Sequence, residues 1–398
     1  MTIRKLNHHE KKEVLDLSAY SFQFHLSEEE ETNVLEKMKP EYTWVHEHTD
    51  GEIAAKLNIL PLETYIGGRL MKMGGIAGVA TWPEFRRGGY VKALLLHAFT
   101  EMKDAGQVIS FLHPFSVPFY RKFGYELFGR ELHVTLEREQ LPKDRPYAGK
   151  IRRVKQEDAP VQLAAVYEQW AKNYSGTLKR SDDWWQNSVF RRKKGAIVAY
   201  TSDDQVTGYM IYEVKDKTMT IKEWIWLTPD ARDGLISFIR NHDSMAQRYT
   251  MTVAPQSGLP YLLDDAKVKQ ELSSYFMARI IDLENFLSVY PFELTGRDGV
   301  IPLHIIDDNC PWNQGTFLLA VKNGALSVKK APVKEGSRCA HPPKRGIHAS
   351  IGTLSGLMMQ AESFELYVTE KLIEGDEESI SFFKSILPRQ KPFIYDFF

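Results

Sequence analysis

Between Gly78 and Phe99 the chain reads GVATWPEFRRGGYVKALLLHAF. Two arginines, Arg86 and Arg87, stand directly before two glycines, Gly88 and Gly89, at the start of a long apolar-periodic run. A turn of this kind can hold an anion. A helix start leaves about four backbone N–H groups unpaired and carries roughly half a positive charge. Glycine lets a phosphate approach the main chain closely, and guanidinium groups add charge-assisted hydrogen bonds. Strand, basic glycine turn and helix together form a diphosphate cradle. No Gly-Lys-Ser/Thr and no G-x-G-x-x-G occurs, so neither a P-loop nor a dinucleotide fingerprint is present. The competing reading of a bare Arg-Arg-Gly-Gly is a surface helix cap with solvated arginines.

Context favours the cradle. Val79-Ala80-Thr81-x-Pro83-x-x-Arg86-Arg87-Gly88-Gly89 resembles the R/Q-x-x-G-x-G/A signature of the Gcn5-related N-acetyltransferases. Arg86 matches its first position and Gly89 its central glycine; Val91 departs from the final Gly or Ala. Thirty residues after Gly89, Phe119-Tyr120-Arg-Lys-Phe-Gly124-Tyr125 is similar to the second signature of that superfamily. The resemblance implies acetyl-coenzyme A as co-substrate and no metal. It implies binding by Val79, Ala80, Thr81, Arg86, Arg87, Gly88, Gly89, Tyr90, Val91 and Lys92, with Phe115 and Ser116 contacting the cofactor mainly through backbone and hydroxyl. Relatives carry Asn near His113; this chain does not. Tyr120 is the candidate acid, since a positioned phenol of pKa about 10 can protonate a departing thiolate. Tyr125 reads as packing.

Other chemistry is weakly signalled. His8-His9 and the pair His46/His48 lack a third ligand at useful spacing. No Ser-His-Asp or Cys-His pairing stands out, so direct transfer in a ternary complex is expected rather than an acyl-enzyme. Glu28–Glu31 with Trp44 offers an acidic, aromatic rim for a polyamine or aminoglycoside, set against the plainer reading of a solvated helix face.

These residues need elements to hold them. Leu94, Leu95, Ala98, Phe99 and Met102 follow Val91 at helical spacing, and Gly106 ends that helix. Met71–Thr81, broken at Gly74-Gly75, and Val108–Leu112 read as the strands beside it. Tyr42–His46 and Ile53–Leu57 form a hairpin through Asp50-Gly51. Ser116-Val-Pro118 opens a further helix. Lys143–Gly149 reads as a linker. Beyond it Leu227-Thr-Pro229-Asp-Ala-Arg232-Asp-Gly234 echoes Thr81-Trp-Pro83-Glu-Phe-Arg86-Arg-Gly88 in outline. Asp233 stands where the second cation was, as in a duplicate that lost its anion site. Ile301–Ile306, Gly315–Val321 and Leu326–Val328 read as a strand meander, and Lys329–Arg345 as a polar surface loop.

Length and composition set the frame. The chain has 398 residues, enough for two to four domains, with 43% hydrophobic residues and a net charge of −1. That balance gives no general pull toward nucleic acid or membrane. Two cysteines, Cys310 and Cys339, exclude a disulfide framework and suit a cytoplasmic location. No signal peptide or spanning run is read.

The whole pattern resembles the Eis-type (enhanced intracellular survival) N-acetyltransferases. The implied fold class is α+β: tandem acetyltransferase-type mixed sheets flanked by helices, plus a C-terminal sterol-carrier-protein-like α+β domain. The expected division is 1–140, 141–282 and 283–398. The resemblance further implies that the terminal carboxylate of Phe398 returns to the first domain as general base, that the acceptor is a small cationic amine or a lysine side chain, and that the protein is a homo-oligomer, a hexamer. Other readings are a lipid-binding or scaffolding protein acting through the third domain, and a tandem acyltransferase with another acyl donor.

Overall fold

The computed structural model describes residues 2–332 and 345–398. Cys339 and residues 333–344 of the expected surface loop lie outside the described residues.

Twelve strands form one mixed sheet: β1 (Ile3–Lys5), β2 (Thr43–Glu47), β3 (Ile53–Ile66), β4 (Arg69–Thr81), β5 (Ile109–Leu112), β6 (Glu126–Glu137), β7 (Lys150–Val154), β8 (Ala196–Ser202), β9 (Gln205–Lys215), β10 (Thr218–Trp226), β11 (Arg248–Val253) and β12 (Lys269–Ile280). Their order is β1-β2-β3-β4-β5-β12-β6-β11-β10-β9-β8-β7. A second sheet of five strands is built from Gly299–Ile306 (β13), Gly315–Lys322 (β14), Ala325–Lys330 (β15), Ile347–Ser350 (β16) and Glu374–Gly375 (β17). Helices α1 (Lys11–Phe22), α2 (Glu28–Lys37), α3 (Tyr90–Asp104), α4 (Val117–Arg121) and α5 (Ala159–Ala171) flank the large sheet. Among the described residues no helix is long and apolar enough to cross a membrane.

Two units repeat within the large sheet. β4 runs parallel to β5, with α3 between them in sequence; β10 runs parallel to β11, with helix Pro229–Arg240 between them. Each parallel stretch is short. It pairs Met73–Ile76 with Ile109–Leu112 in the first unit and Thr218–Ile221 with Arg248–Met251 in the second. Each longer strand then runs on against its antiparallel neighbour, β4 with β3 to Thr81 and β10 with β9 to Trp226. The parallel partners therefore splay apart.

The β3–β4 hairpin is longer than the sequence pattern predicts. It turns at Gly67-Gly68, both at positive φ, and β4 continues unbroken through Gly74-Gly75. Those glycines serve close approach rather than a break. A Cβ on Gly74 would come within 2.6 Å of Met102 Sδ on α3.

β12 lies between β5 and β6, pairing with both. β6 leaves the first unit and pairs with β11 of the second. The backbone of the large sheet is thus continuous past residue 140, and Ile281-Asp282 leads directly into helix Leu283–Val289.

Buried charge ties the sheets together. Arg279 of β12 donates from Nη2 to both Asp307 oxygens at 2.9 and 2.8 Å, with Cys310 Sγ 2.7 Å away, all fully buried. Its guanidinium lies 4.3 Å from the centre of the Phe99 ring.

Candidate active site

Past Ile76 and Leu112 the sheet opens. Gly78 and Val79 of β4 together oppose Leu57 of β3, a bulge marked by the register shift there and by φ +56 at Gly78. From Ala77 to Thr81 no strand among the described residues pairs with β4 on its β5 side. Backbone groups there are left for a ligand or solvent.

One cavity, about 690 Å³, opens beside this splay and runs to the start of α3. Val79, Ala80 and Thr81 line it from the strand; Arg86, Arg87, Gly89, Tyr90, Val91 and Lys92 line it from the turn; Phe115 faces them. Gly88 and Ser116 do not line it. A Cβ on Gly88 would strike the Tyr90 ring at 2.5 Å, so glycine is needed there for packing. Ser116 precedes α4 without a side-chain cap. Tyr90 points inward, its hydroxyl 2.6 Å from His48 Nδ1, so it offers the cavity its backbone.

The turn is arranged as an open cradle. Gly89 caps α3 at φ +83 with no side-chain cap, and a Cβ there would meet nothing within 4 Å. The first intrahelical bond comes from Ala93 N–H to Gly89 O at 3.0 Å, leaving the earlier amides free. Arg87 sits at φ +67, a left-handed conformation costing a non-glycine residue about 1 kcal/mol or more. Among the described residues neither Arg86 nor Arg87 forms an ion pair. The duplicate turn is closed by comparison. Thr228 caps its helix by accepting from Ala231 N–H at 3.1 Å, and Arg232 is neutralised by Asp233 at 2.8 and 3.0 Å.

Tyr120 does not itself line the cavity; it is buried behind the wall, packed on Phe115, Phe119 and Tyr125 with ring centres 5.3, 5.1 and 6.0 Å apart. Burial pushes its phenol well above the ordinary tyrosine value, so it keeps its proton. Its neighbours Phe115 and Phe119 form the cavity wall. Tyr125 is a core residue, its hydroxyl 2.7 Å from Ser110 Oγ, which donates to Gly74 O.

A second cavity, about 480 Å³, lies on the other side of β4. Ala77, Asn58 and Leu62 form its floor, Trp184 and Asn187 its wall, and Phe397 and Phe398 reach into it. Phe398 packs on Phe276, ring centres 5.0 Å apart, and Phe397 on His113 at 5.0 Å. Phe398 therefore stands at the foot of the splay, against Gly75. Glu28–Glu31 do not line this cavity: Glu30 closes the α2 cap on Ser27, and Glu31 pairs with Lys12 at 2.7 Å. Trp44 packs on His97 instead.

Sequence reasoning gave no sign of what holds this tail. Asp396, buried, accepts from Arg180 Nε at 2.9 Å, Trp184 Nε1 at 2.9 Å and the Tyr167 hydroxyl at 3.1 Å. Arg180 also pairs both nitrogens with Glu223 at 2.8 Å, and Lys193 joins the same carboxylate. Burial alone would raise the Glu223 pKa; the charges of Arg180 and Lys193 outweigh it and hold the group well below its ordinary value. These partners lie 43 and 216 residues apart, so no local pattern reveals them. Among the described residues no three or more His, Cys, Asp or Glu side chains gather where a metal ion could be held.

Three family models match the chain: an acetyltransferase (GNAT) domain over residues 2–128, another over 176–280, and a sterol carrier protein domain over 283–395. N-acetyltransferase Eis of Mycobacterium tuberculosis is 26% identical over 221 residues, covering 52% of this chain and 54% of that protein. The chain thus spans about half the length of the curated relatives it matches. An Enterococcus faecalis structure described as a probable N-acyltransferase aligns over 100% of this chain and 99% of its own, with TM-score 0.90 and 27% identity. Eis1 of Mycobacterium abscessus shares the fold over the whole of both chains, with TM-score 0.81 and 17% identity. Two acetyltransferase repeats, one open and one closed at the helix start, followed by a sterol carrier domain, place this chain in the Gcn5-related N-acetyltransferases of the Eis type.

Proposed function

We propose that the protein is an acetyl-coenzyme A-dependent N-acetyltransferase that passes acetyl directly to a primary amine. The observation that carries this reading is the splay of β4 from β5. On one side it meets an uncapped helix start with two arginines that form no ion pair among the described residues, and on the other Phe398.

The residues present fit the donor. Arg86, Arg87 and the free amides of Tyr90, Val91 and Lys92 would hold its diphosphate, and Gly89 leaves room for it. Ser21 Oγ and Thr81 Oγ1 both belong to the cavity wall and are buried without partners among the described residues. They suit polar atoms of a ligand. Coenzyme A, when bound, supplies the activated thioester. The backbone of Ala77–Thr81, free on its β5 side, aligns and polarises it, Tyr120 gives a proton to the leaving sulfur, and the Phe398 carboxylate takes one from the acceptor amine. Residues 1–140, 141–282 and 283–398 then have distinct parts: donor binding, a closed duplicate that anchors the tail through Arg180, and the segment that returns the tail.

The acceptor is a primary amine of aminoglycoside, polyamine or lysine type. A second reading rests on the charge of the acceptor-side cavity. Lys37, Lys39 and Arg192 line it against Asp183 and the Phe398 carboxylate, three cations to two anions. That favours an amine which also carries an anionic group.

A thiol-release assay with acetyl-coenzyme A tests both. Polyamines, aminoglycosides and lysine peptides form one arm; amino acids and amino-sugar phosphates form the other. If no amine of either arm supports release, or turnover is unchanged in Tyr120→Phe, the assignment is overturned. The better arm decides the acceptor class.

A further inference from the structure

We infer that Lys56 is a self-acetylation site: with no acceptor bound, its side-chain amine takes the acetyl group from the thioester held in the splay. The inference rests on the donor placement above and extends it to a residue that the reaction itself does not require.

Lys56 is 5% exposed and is the fourth residue of β3. Buried lysines are rare unless paired, yet among the described residues this amine makes no ion pair and no hydrogen bond. It reaches toward β4: a Cβ on Gly78 would lie 3.2 Å from Lys56 Nζ and 3.2 Å from Asn58 Nδ2. Gly78 is the bulged residue between Ala77, on the acceptor-side cavity, and Val79, on the donor-side cavity. Only glycine leaves the room that the amine occupies. A primary amine thus stands beside the backbone that would align the thioester, on the side of the acceptor.

Its protonation state suits the step. Burial alone lowers its pKa to about 8, so roughly a tenth is free base at pH 7. The flanking strands set Val45 and Ala80 opposite it and bring it no charge. In the step, Nζ bonds to the acetyl carbon and the C–S bond breaks. The sulfur leaves as thiol with the proton that nitrogen loses, giving Nε-acetyl-Lys56 and free coenzyme A. No other reactant is needed.

The test uses the wild-type protein with acetyl-coenzyme A and no amine, followed by peptide mass spectrometry across pH 6.5–9. Lys155, whose side chain is 79% exposed, is the internal reference. We expect acetylation of Lys56 at least about tenfold faster than Lys155, rising with pH up to about 8, suppressed by excess coenzyme A, and absent in Lys56→Arg. Acetic anhydride, which needs no site, should reverse the order. Labelling of Lys56 no faster than Lys155, or labelling indifferent to coenzyme A, overturns the inference. Amine-dependent thiol release measured on the same preparation keeps the two ideas apart. Release with Lys56 unlabelled removes this inference alone; neither signal removes the functional reading as well.

Discussion

The ring of Phe398 lies in the space that a side chain on Gly75 would need: a Cβ there would come within 2.8 Å of Phe398 Cε2 and 3.0 Å of Leu62 Cδ1. Gly75 pairs with Phe111 on the last parallel stretch before the splay, so the tail is set against the strand that carries the donor site. Gly75→Ala should push the tail aside without touching the arginine turn. We expect kcat to fall about tenfold to a hundredfold, with KM for acetyl-coenzyme A within about twofold of wild type. Steady-state kinetics at saturating amine separates the two terms.

Arg86→Ala and Arg87→Ala each remove a charged donor from the open helix start. A hydrogen bond to a charged group contributes about 1.5–3 kcal/mol, so KM for acetyl-coenzyme A should rise roughly 10- to 100-fold. Arg232→Ala, at the closed duplicate, should leave that KM unchanged. Titration with coenzyme A by calorimetry gives the same comparison without turnover.

Tyr120→Phe keeps the ring and removes the proton. A general acid typically contributes 10²–10⁴-fold, and we expect a loss of about that size in kcat. Because burial raises the phenol pKa, wild-type kcat should show no fall from Tyr120 ionisation below pH 10. A descending limb there that is absent in the variant would count against the assignment.

Breaking the buried cluster under the tail should be costly. Arg180→Met leaves Asp396 and Glu223 without their main partner, a loss of about 3–5 kcal/mol for such a pair, read by urea unfolding. The sign with pH follows from Glu223. Its folded pKa lies below the ordinary value near 4.3, so it stabilises the fold above that value and loses the effect as pH falls through the acid range. The variant should flatten that dependence.

Lys56 gives the same upward slope with pH, but here the charged form is the destabilising one. Its folded pKa of about 8 lies below the unfolded value near 10.4, so burial of the charged form disfavours folding at neutral pH. Stability should climb between pH 8 and 10.4, by up to about 3 kcal/mol. Lys56→Met should raise Tm at pH 7 and remove the climb, as thermal melts across that range would show.

Local chemistry was the legible part. The turn from Arg86 to Lys92, the helix behind it and the strands beside it each depend on neighbours in sequence, and periodicity and glycine placement are local signals. β12 was not legible because Lys269–Tyr275 is largely exposed and Phe276–Ile280 fully buried; it has no alternation to detect. β3 was read short because Asn58 and Pro61 break its apolar pattern, although both pair with β4. Nothing in the sequence around Lys56 sets it apart from other strand lysines, and Arg180, Glu223 and Asp396 lie far apart along the chain. Burial and long-range pairing, which give these four residues their character, have no counterpart in local composition.

The position of β12 has a consequence for synthesis of the chain. β5 and β6 meet no partner in common until residues 269–280 are made, so the donor half waits for over 130 residues of later chain before its sheet can close. Such distant pairings form slowly and leave bare strand edges in the meantime. A fragment stopping near residue 140 would keep that gap, and should be sticky and inert rather than a small working enzyme.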